Sequence, residues 1–111
     1  MSDFDVTPAE VQRLVDDGAV LVDVREDDEW VACYAPDSLH IPLAELVEQF
    51  DDLPDDRVVV FVCRSGGRSA HAAGFLIQQG YEARNLAGGL IAWAADGLPI
   101  VTDTGGPGKV L

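Results

Sequence analysis

The chain has 111 residues, which fits a single domain, and its 48% hydrophobic content is enough for one packed core. The formal net charge is −13, from 20 acidic and 7 basic residues; this excludes nucleic acid and anionic membranes as expected partners, because both reward a basic face. No apolar run reaches membrane-spanning length, and the acidic N-terminus lacks the apolar core of a signal peptide, so we expect a soluble, cytoplasmic protein.

The first predicted helix begins at a capping box. Thr7 suits the N-cap, Pro8 suits the first helical position, and Glu10 stands three residues after the cap. Apolar residues then recur at helical spacing and form the expected buried stripe: Val11, Leu14 and Val15.

A mostly apolar strand follows at residues 20–24, as expected in a sheet that is covered on both faces. Asp23 and Arg25 lie at its carboxyl end, where sites form in α/β sheets. We interpret them as a hydrogen-bonded structural support for neighbouring loops; direct chemistry is the alternative.

The middle of the chain predicts a short helix at residues 27–31 and a short strand at residues 38–41. Residues 43–50 then show apolar side chains at i, i+3, i+4 and i+7, which predicts an amphipathic helix. The acidic stretch at residues 51–56 is interpreted as a solvated connector.

The most apolar run of the chain, residues 58–62, leads directly to Cys63. Helical spacing resumes after a short polar loop, with Ala73, Leu76 and Ile77 on one face. The pattern predicts a strand, a tight loop and a helix, with a cysteine at the end of the strand.

This position suits a reactive thiolate. Helix N-termini and neighbouring arginines lower a cysteine pKa from about 8.5 to roughly 3.5–7.5, and Arg64 and Arg68 are both in the loop. Gly66 and Gly67 let the backbone approach a bound anion closely. The alternative is an inert cysteine followed by an ordinary turn.

The two cysteines, Cys33 and Cys63, match no metal motif, so we expect no metal.

The chain ends with a predicted short strand at residues 82–86, a helix at residues 90–95 and a Gly-rich tail. We predict one domain at residues 1–103 and a flexible C-terminal tail at residues 104–111. Strands that alternate with helices predict a parallel α/β sheet flanked by helices.

The ordered set of segments resembles the rhodanese domain in its single-domain form, from about residue 6 to residue 101. The matching segments are Leu21-Val22-Asp23-Val24-Arg25-Glu26 with Glu29-Trp30, His40-Ile41-Pro42-Leu43, Val60-Phe61-Val62-Cys63-Arg64-Ser65-Gly66-Gly67-Arg68-Ser69, and Asn85-Leu86-Ala87-Gly88-Gly89 with Ala92-Trp93. The resemblance implies a rhodanese-like five-stranded parallel sheet with helices on both faces.

The implied activity is that of a thiosulfate sulfurtransferase, which moves sulfane sulfur from thiosulfate to a thiol or cyanide through a persulfide on catalytic Cys63. No cofactor is needed. The implied substrate-binding residues are those of the loop: Arg64, Ser65, Gly66, Gly67, Arg68 and Ser69. Arg64 and Arg68 are the candidates for gripping sulfonate oxygens.

Two alternatives stay open. A persulfide carrier or protein-interaction domain with little thiosulfate activity would need the same cysteine and loop. A phosphatase or arsenate reductase is less compatible, because such enzymes resemble Cys, five residues, Arg, whereas four residues separate Cys63 from Arg68.

The chain departs from the family at residues 33–37, where the family commonly shows Gly-His-Ile-Pro-Gly. Cys33 is either a resolving thiol or, as we favour, a small semi-buried hydrophobe. We interpret His71 as an exposed helix histidine and His40 as a structural hydrogen bonder.

Overall fold

The computed structural model describes residues 4–111, so the first three residues of the acidic N-terminus lie outside it. Five strands form one sheet: β1 (Asp5–Val6), β2 (Val20–Asp23), β3 (Leu39–His40), β4 (Val59–Val62) and β5 (Ala83–Leu86). The α-helices are α1 (Pro8–Asp16), α2 (Asp27–Ala32), α3 (Leu46–Gln49), α4 (Gly67–Gln78) and α5 (Gly89–Ala95).

The strand order is β1-β5-β4-β2-β3, and every pair is parallel. Side chains alternate along β4, so Val59 and Phe61 enter one core cluster while Val60 and Val62 enter another. The first cluster contains Ala72, Ala73 and Leu76 of α4, and the second contains residues of α1 and α5. The predicted five-stranded parallel sheet with helices on both faces is therefore confirmed.

The capping box of α1 is also confirmed. The Thr7 hydroxyl accepts the Glu10 N–H at 3.2 Å, and the Glu10 carboxylate accepts the Thr7 N–H at 3.1 Å. These bonds satisfy donors that the first turn of any helix leaves unpaired.

The amphipathic helix predicted at residues 43–50 is interrupted. Its α-helical part is only α3, and 3-10 turns flank it at Leu43–Glu45 and Phe50–Asp52. A 3-10 turn has three residues rather than 3.6, so the apolar face rotates along the segment. Leu46 is buried as expected, but Val47 is 65% exposed.

The segment after α5 packs back over the loop that follows α2. Tyr34 forms a backbone bridge with Val101, and its hydroxyl donates to Asp103 at 2.5 Å. Farther on, a Cβ at Gly108 would lie 2.7 Å from the Cβ of Cys33, so the two backbones are close. The flexibility of residues 104–111 stays a prediction. Within residues 4–111, no helix is long and apolar enough to cross a membrane.

Candidate active site

Cys63 directly follows β4, at the carboxyl edge of the parallel sheet. Its neighbour across the sheet is the end of β2, where the Val24 N–H donates to the Val62 carbonyl at 3.0 Å. The residue is only 2% exposed, so the residues around the sulfur enclose it almost completely.

The polar hydrogens of the loop converge on this sulfur. The N–H groups of Gly66 and Ser69 point at Sγ from 3.1 and 3.5 Å, and the Ser69 hydroxyl lies 3.2 Å from it. The sulfur also faces the N-terminus of α4, whose first N–H groups have no carbonyl partner within the helix.

The net effect is a pKa for Cys63 below that of an ordinary thiol. Burial raises the pKa, but the hydrogen bonds from the Ser69 hydroxyl and from the N–H groups of Ser69, Gly66 and Ser65 together outweigh it. The thiolate, the form of cysteine that acts as a nucleophile, therefore forms more readily here than in an ordinary cysteine.

The N-terminus of α5 holds the loop in this orientation. The Leu90 N–H donates to the Cys63 carbonyl at 2.8 Å, and the Ile91 N–H donates to the Arg64 carbonyl at 3.1 Å. Gly89 makes this approach possible, because it has a φ of +61° and a Cβ there would lie 2.5 Å from the Cys63 carbonyl oxygen. With both carbonyls bound by α5, the loop N–H groups face the sulfur.

The two guanidiniums of the loop have partners of their own. Arg68 forms a bidentate pair with Glu29 at 2.6 and 2.9 Å, and Arg64 Nε donates to the Leu111 backbone oxygen. The hydrogen bonds of Arg68 lower the pKa of Glu29 to about 2, and the same pairing raises the pKa of Arg68. The lowering of the Cys63 pKa therefore comes from N–H and O–H donors rather than from a free arginine.

Asp23 and Arg25 form a fully buried ion pair beside the loop. Arg25 Nη2 lies 2.8 Å from Asp23 Oδ2, and it also donates to the Cys33 carbonyl at 2.6 Å. Arg25 Nη1 donates to the Glu29 carbonyl at 3.2 Å, so this side chain connects the end of β2 to α2 and to the turn after it.

Asn85 is a site residue that sequence reasoning did not identify as functional. Its side chain is 3% exposed, its Oδ1 lies 2.5 Å from the Ser69 Oγ, and its Nδ2 donates to Asp5 Oδ1 at 2.9 Å. The contact depends on β5 lying beside both β1 and β4, so no local pattern signals it. Glu29, likewise unassigned, reaches Arg68 across 39 positions of sequence.

The remaining candidates lie apart from this arrangement of donors. Cys33 is fully buried, and desolvation raises the pKa of its thiol. His71 is exposed on α4, and His40 lies 2.8 Å from the Arg25 carbonyl through its Nε2. Among the described residues, no group of three or more His, Cys, Asp and Glu side chains is placed to hold a metal ion.

Comparison with known proteins shows which family the chain resembles in sequence and structure. Residues 7–96 match the model of the rhodanese-like domain. A sulfurtransferase of Allochromatium vinosum is 46% identical over 96 residues, which cover 85% of this chain and 90% of that protein. Thiosulfate sulfurtransferase GlpE of Haemophilus influenzae is 32% identical and covers 92% of this chain and 98% of its own length. The crystal structure of a rhodanese-related protein from Thermoplasma volcanium superposes with a TM-score of 0.84 at 30% identity, over 89% of this chain and 98% of that one.

Proposed function

Since the chain belongs to the rhodanese-like sulfurtransferase family, we propose that it is a thiosulfate sulfurtransferase that carries the transferred sulfur as a persulfide on Cys63. The observation that supports this most directly is the convergence of two backbone N–H groups and one hydroxyl on a single sulfur atom. Such donors stabilise an anionic sulfur without any metal or base.

The reaction has two displacements. The Cys63 thiolate attacks the outer sulfur of thiosulfate, an S–S bond forms, and the bond to the inner sulfur breaks and releases sulfite with its electron pair. The persulfide keeps one negative charge. An acceptor thiolate or cyanide then attacks the outer sulfur of the persulfide, and the Cys63 thiolate leaves as the same species that began the cycle.

The rest of the loop has matching roles in this proposal. The N–H groups of Gly67 and Arg68, in the first turn of α4, are donors for the outer sulfur of the persulfide. Arg64, which is exposed and directly follows Cys63 in the chain, binds the sulfonate oxygens after it exchanges its bond to Leu111. The buried pair of Asp23 and Arg25 holds α2 and the turn after it at the end of β2, because Arg25 donates to the Glu29 and Cys33 carbonyls.

One observation favours a second candidate, a persulfide carrier that is slow with thiosulfate. Arg68 is already neutralised by Glu29, which leaves Arg64 as the loop arginine that can exchange its partner for a sulfonate. A carrier would receive its sulfur from another protein, so it would not need a strong sulfonate site. Steady-state turnover with thiosulfate and cyanide separates the two candidates, because a carrier turns over slowly yet accepts persulfide rapidly from a donor protein.

Mass spectrometry after exposure to thiosulfate tests the proposal. We expect one added sulfur atom on the peptide that contains Cys63, and none in the Cys63→Ser variant, which also loses all sulfur transfer. Cys33→Ala is the matched control, and it should retain the adduct because the N–H and O–H donors contact the Cys63 sulfur, whereas burial raises the pKa of the Cys33 thiol. Sulfur transfer by Cys63→Ser, or an adduct on Cys33 alone, would contradict the mechanism.

A further inference from the structure

We propose that an open hollow beside the Cys63 loop binds the organic body of the acceptor, so that the second displacement prefers thiols with an uncharged, apolar substituent. This inference rests on the proposed function and names the acceptor class for the same site. The hollow has a volume of ≈ 320 Å³ and is lined by Leu43, Gly67, Arg68 and His71.

The position of the hollow connects it to the persulfide. Gly67 and Arg68 stand in the chain between Gly66 and Ser69, whose N–H groups contact Sγ. Leu43 comes from the 3-10 turn after β3. Its N–H donates to the Val24 carbonyl at 3.0 Å, which places Leu43 at the same carboxyl edge of the sheet as Cys63. The hollow therefore borders the loop that holds the Cys63 sulfur, so an acceptor that attacks the persulfide can rest its substituent there.

The lining is apolar despite the two basic residues. The Arg68 guanidinium is held by two hydrogen bonds to Glu29, so the part of Arg68 that is left to line the hollow is its aliphatic stem. A Cβ at Gly67 would meet nothing within 4 Å, so space is open above that residue. Leu43 is half-buried and His71 is exposed, and both offer carbon surface.

These features select the acceptor class. A carboxylate-bearing acceptor would find no free guanidinium in the lining, and it would approach a chain with a formal net charge of −13. Cyanide has two heavy atoms and leaves the hollow unfilled. A thiol with an uncharged aliphatic or aromatic substituent buries that substituent against Leu43 and the Arg68 stem, and attacks through its thiolate. The burial lowers the free energy of the transition state.

Single-turnover kinetics on preloaded protein test the proposal. Cys63 is first converted to the persulfide with thiosulfate or inorganic polysulfide, and sulfur loss is then timed with 2-phenylethanethiol, 2-mercaptoethanol and cyanide. We expect the second-order rate constant for 2-phenylethanethiol to exceed that for 2-mercaptoethanol by about fivefold, which corresponds to roughly 1 kcal/mol of apolar contact.

Two variants report on the hollow itself. Leu43→Ala removes an apolar wall and His71→Glu places a charge in the lining, and each should lower the ratio of the 2-phenylethanethiol rate to the cyanide rate by about three- to tenfold. The ratio cancels general effects on the persulfide, because both nucleophiles attack the same sulfur. Gln78→Glu is the matched control, since Gln78 is exposed on α4 seven residues after His71, and its ratio should stay within about twofold of wild type.

The outcomes separate this inference from the proposed function. Suppose that the persulfide forms and reacts with cyanide, but the ratio of the 2-phenylethanethiol rate to the cyanide rate is the same in wild type, Leu43→Ala and His71→Glu. This result would contradict acceptor binding in the hollow but not the proposed sulfurtransferase activity. Equal rates for the two thiols in wild type have the same consequence. Failure of Cys63 to form any persulfide overturns the proposed function, and the acceptor site falls with it.

Discussion

Ser69 has one hydroxyl proton and two acceptors within reach, Cys63 Sγ at 3.2 Å and Asn85 Oδ1 at 2.5 Å. With a neutral thiol, the hydroxyl can donate to Asn85 while it accepts from the S–H group. With a thiolate, the hydroxyl stabilises the sulfur only by turning away from Asn85. At the residue scale, the ionisation of Cys63 is therefore in competition with the hydrogen bond between Ser69 and Asn85.

Two substitutions should shift the pKa of Cys63 in opposite directions. Asn85→Leu removes the competing acceptor and should lower the pKa, whereas Ser69→Ala removes the donor and should raise it. Each shift should be about one unit, because one hydrogen bond contributes about 1–1.5 kcal/mol. The pH dependence of iodoacetamide alkylation measures both. Shifts of the same sign would contradict the competition.

At the element scale, a single ion pair joins α2 to the start of α4. Glu29 also completes the capping box of α2, because its Oε1 accepts the Glu26 N–H at 3.0 Å. The same carboxylate thus fixes a helix start and pairs with Arg68 of the Cys63 loop. The pair is partly exposed, with side-chain accessibilities of 35% for Arg68 and 15% for Glu29, so its contribution lies between those of surface and buried pairs.

Glu29→Gln should lower the free energy of unfolding by roughly 1–2 kcal/mol near neutral pH, because it keeps the capping acceptor and removes the charge. The pKa of Glu29 is depressed to about 2 in the folded protein, so the stabilisation is complete above the ordinary carboxyl pKa of about 4.5 and is lost as the pH falls through 2. Urea denaturation of both proteins between pH 7 and pH 2 measures this.

The control for that experiment is Glu82→Gln. Glu82 lies 4.0 Å from Arg84 and is 69% exposed, so its substitution should change stability by less than about 0.5 kcal/mol at every pH. A difference between wild type and Glu29→Gln that stays constant down to pH 2 would show that charge is not the cause.

At the scale of the whole molecule, the net charge of −13 opposes the arrival of an anionic substrate. The Cα radius of gyration is 12.7 Å, so at 0.01 M salt, where the Debye length is about 30 Å, all the charges of the molecule act on an anion that approaches Cys63. At 0.15 M the Debye length is about 8 Å, and the charged groups nearest Cys63, including Arg64, dominate.

Added salt should therefore increase the reaction rate of Cys63 with anionic reagents more than with neutral ones. We expect the ratio of the Cys63 alkylation rate with iodoacetate to that with neutral iodoacetamide to rise about two- to threefold between 0.01 and 0.15 M salt. A small neutral thiol, N-acetylcysteinamide, is the control and should show a much smaller change. A falling ratio would mean that Arg64 outweighs the acidic surface even at long range.

The sequence alone determined the features that depend on near neighbours in the chain. The capping box of α1 needs only Thr7, Pro8 and Glu10, and the alternation of β4 needs only its own four side chains. Cys63 at the junction of strand and helix follows from the same local periodicity, because a parallel strand followed by a helix must place that junction at the carboxyl edge of the sheet. The interrupted segment at residues 43–50 shows the limit of this reasoning, since its apolar spacing fits one α-helix while the structure has 3-10 turns at both ends.

Only the tertiary structure decided which distant partners the polar side chains take. Glu29 and Arg68 are 39 positions apart, and Ser69 and Asn85 are 16 apart, so each pair exists only because the sheet brings separate elements together. Arg64 and Arg68 have the same charge, yet one is exposed beside Leu111 and the other is bound to a carboxylate. The sequence does not show where a charged side chain points. Its effect on the pKa of the Cys63 sulfur depends on burial and on which opposite charge lies nearest in space.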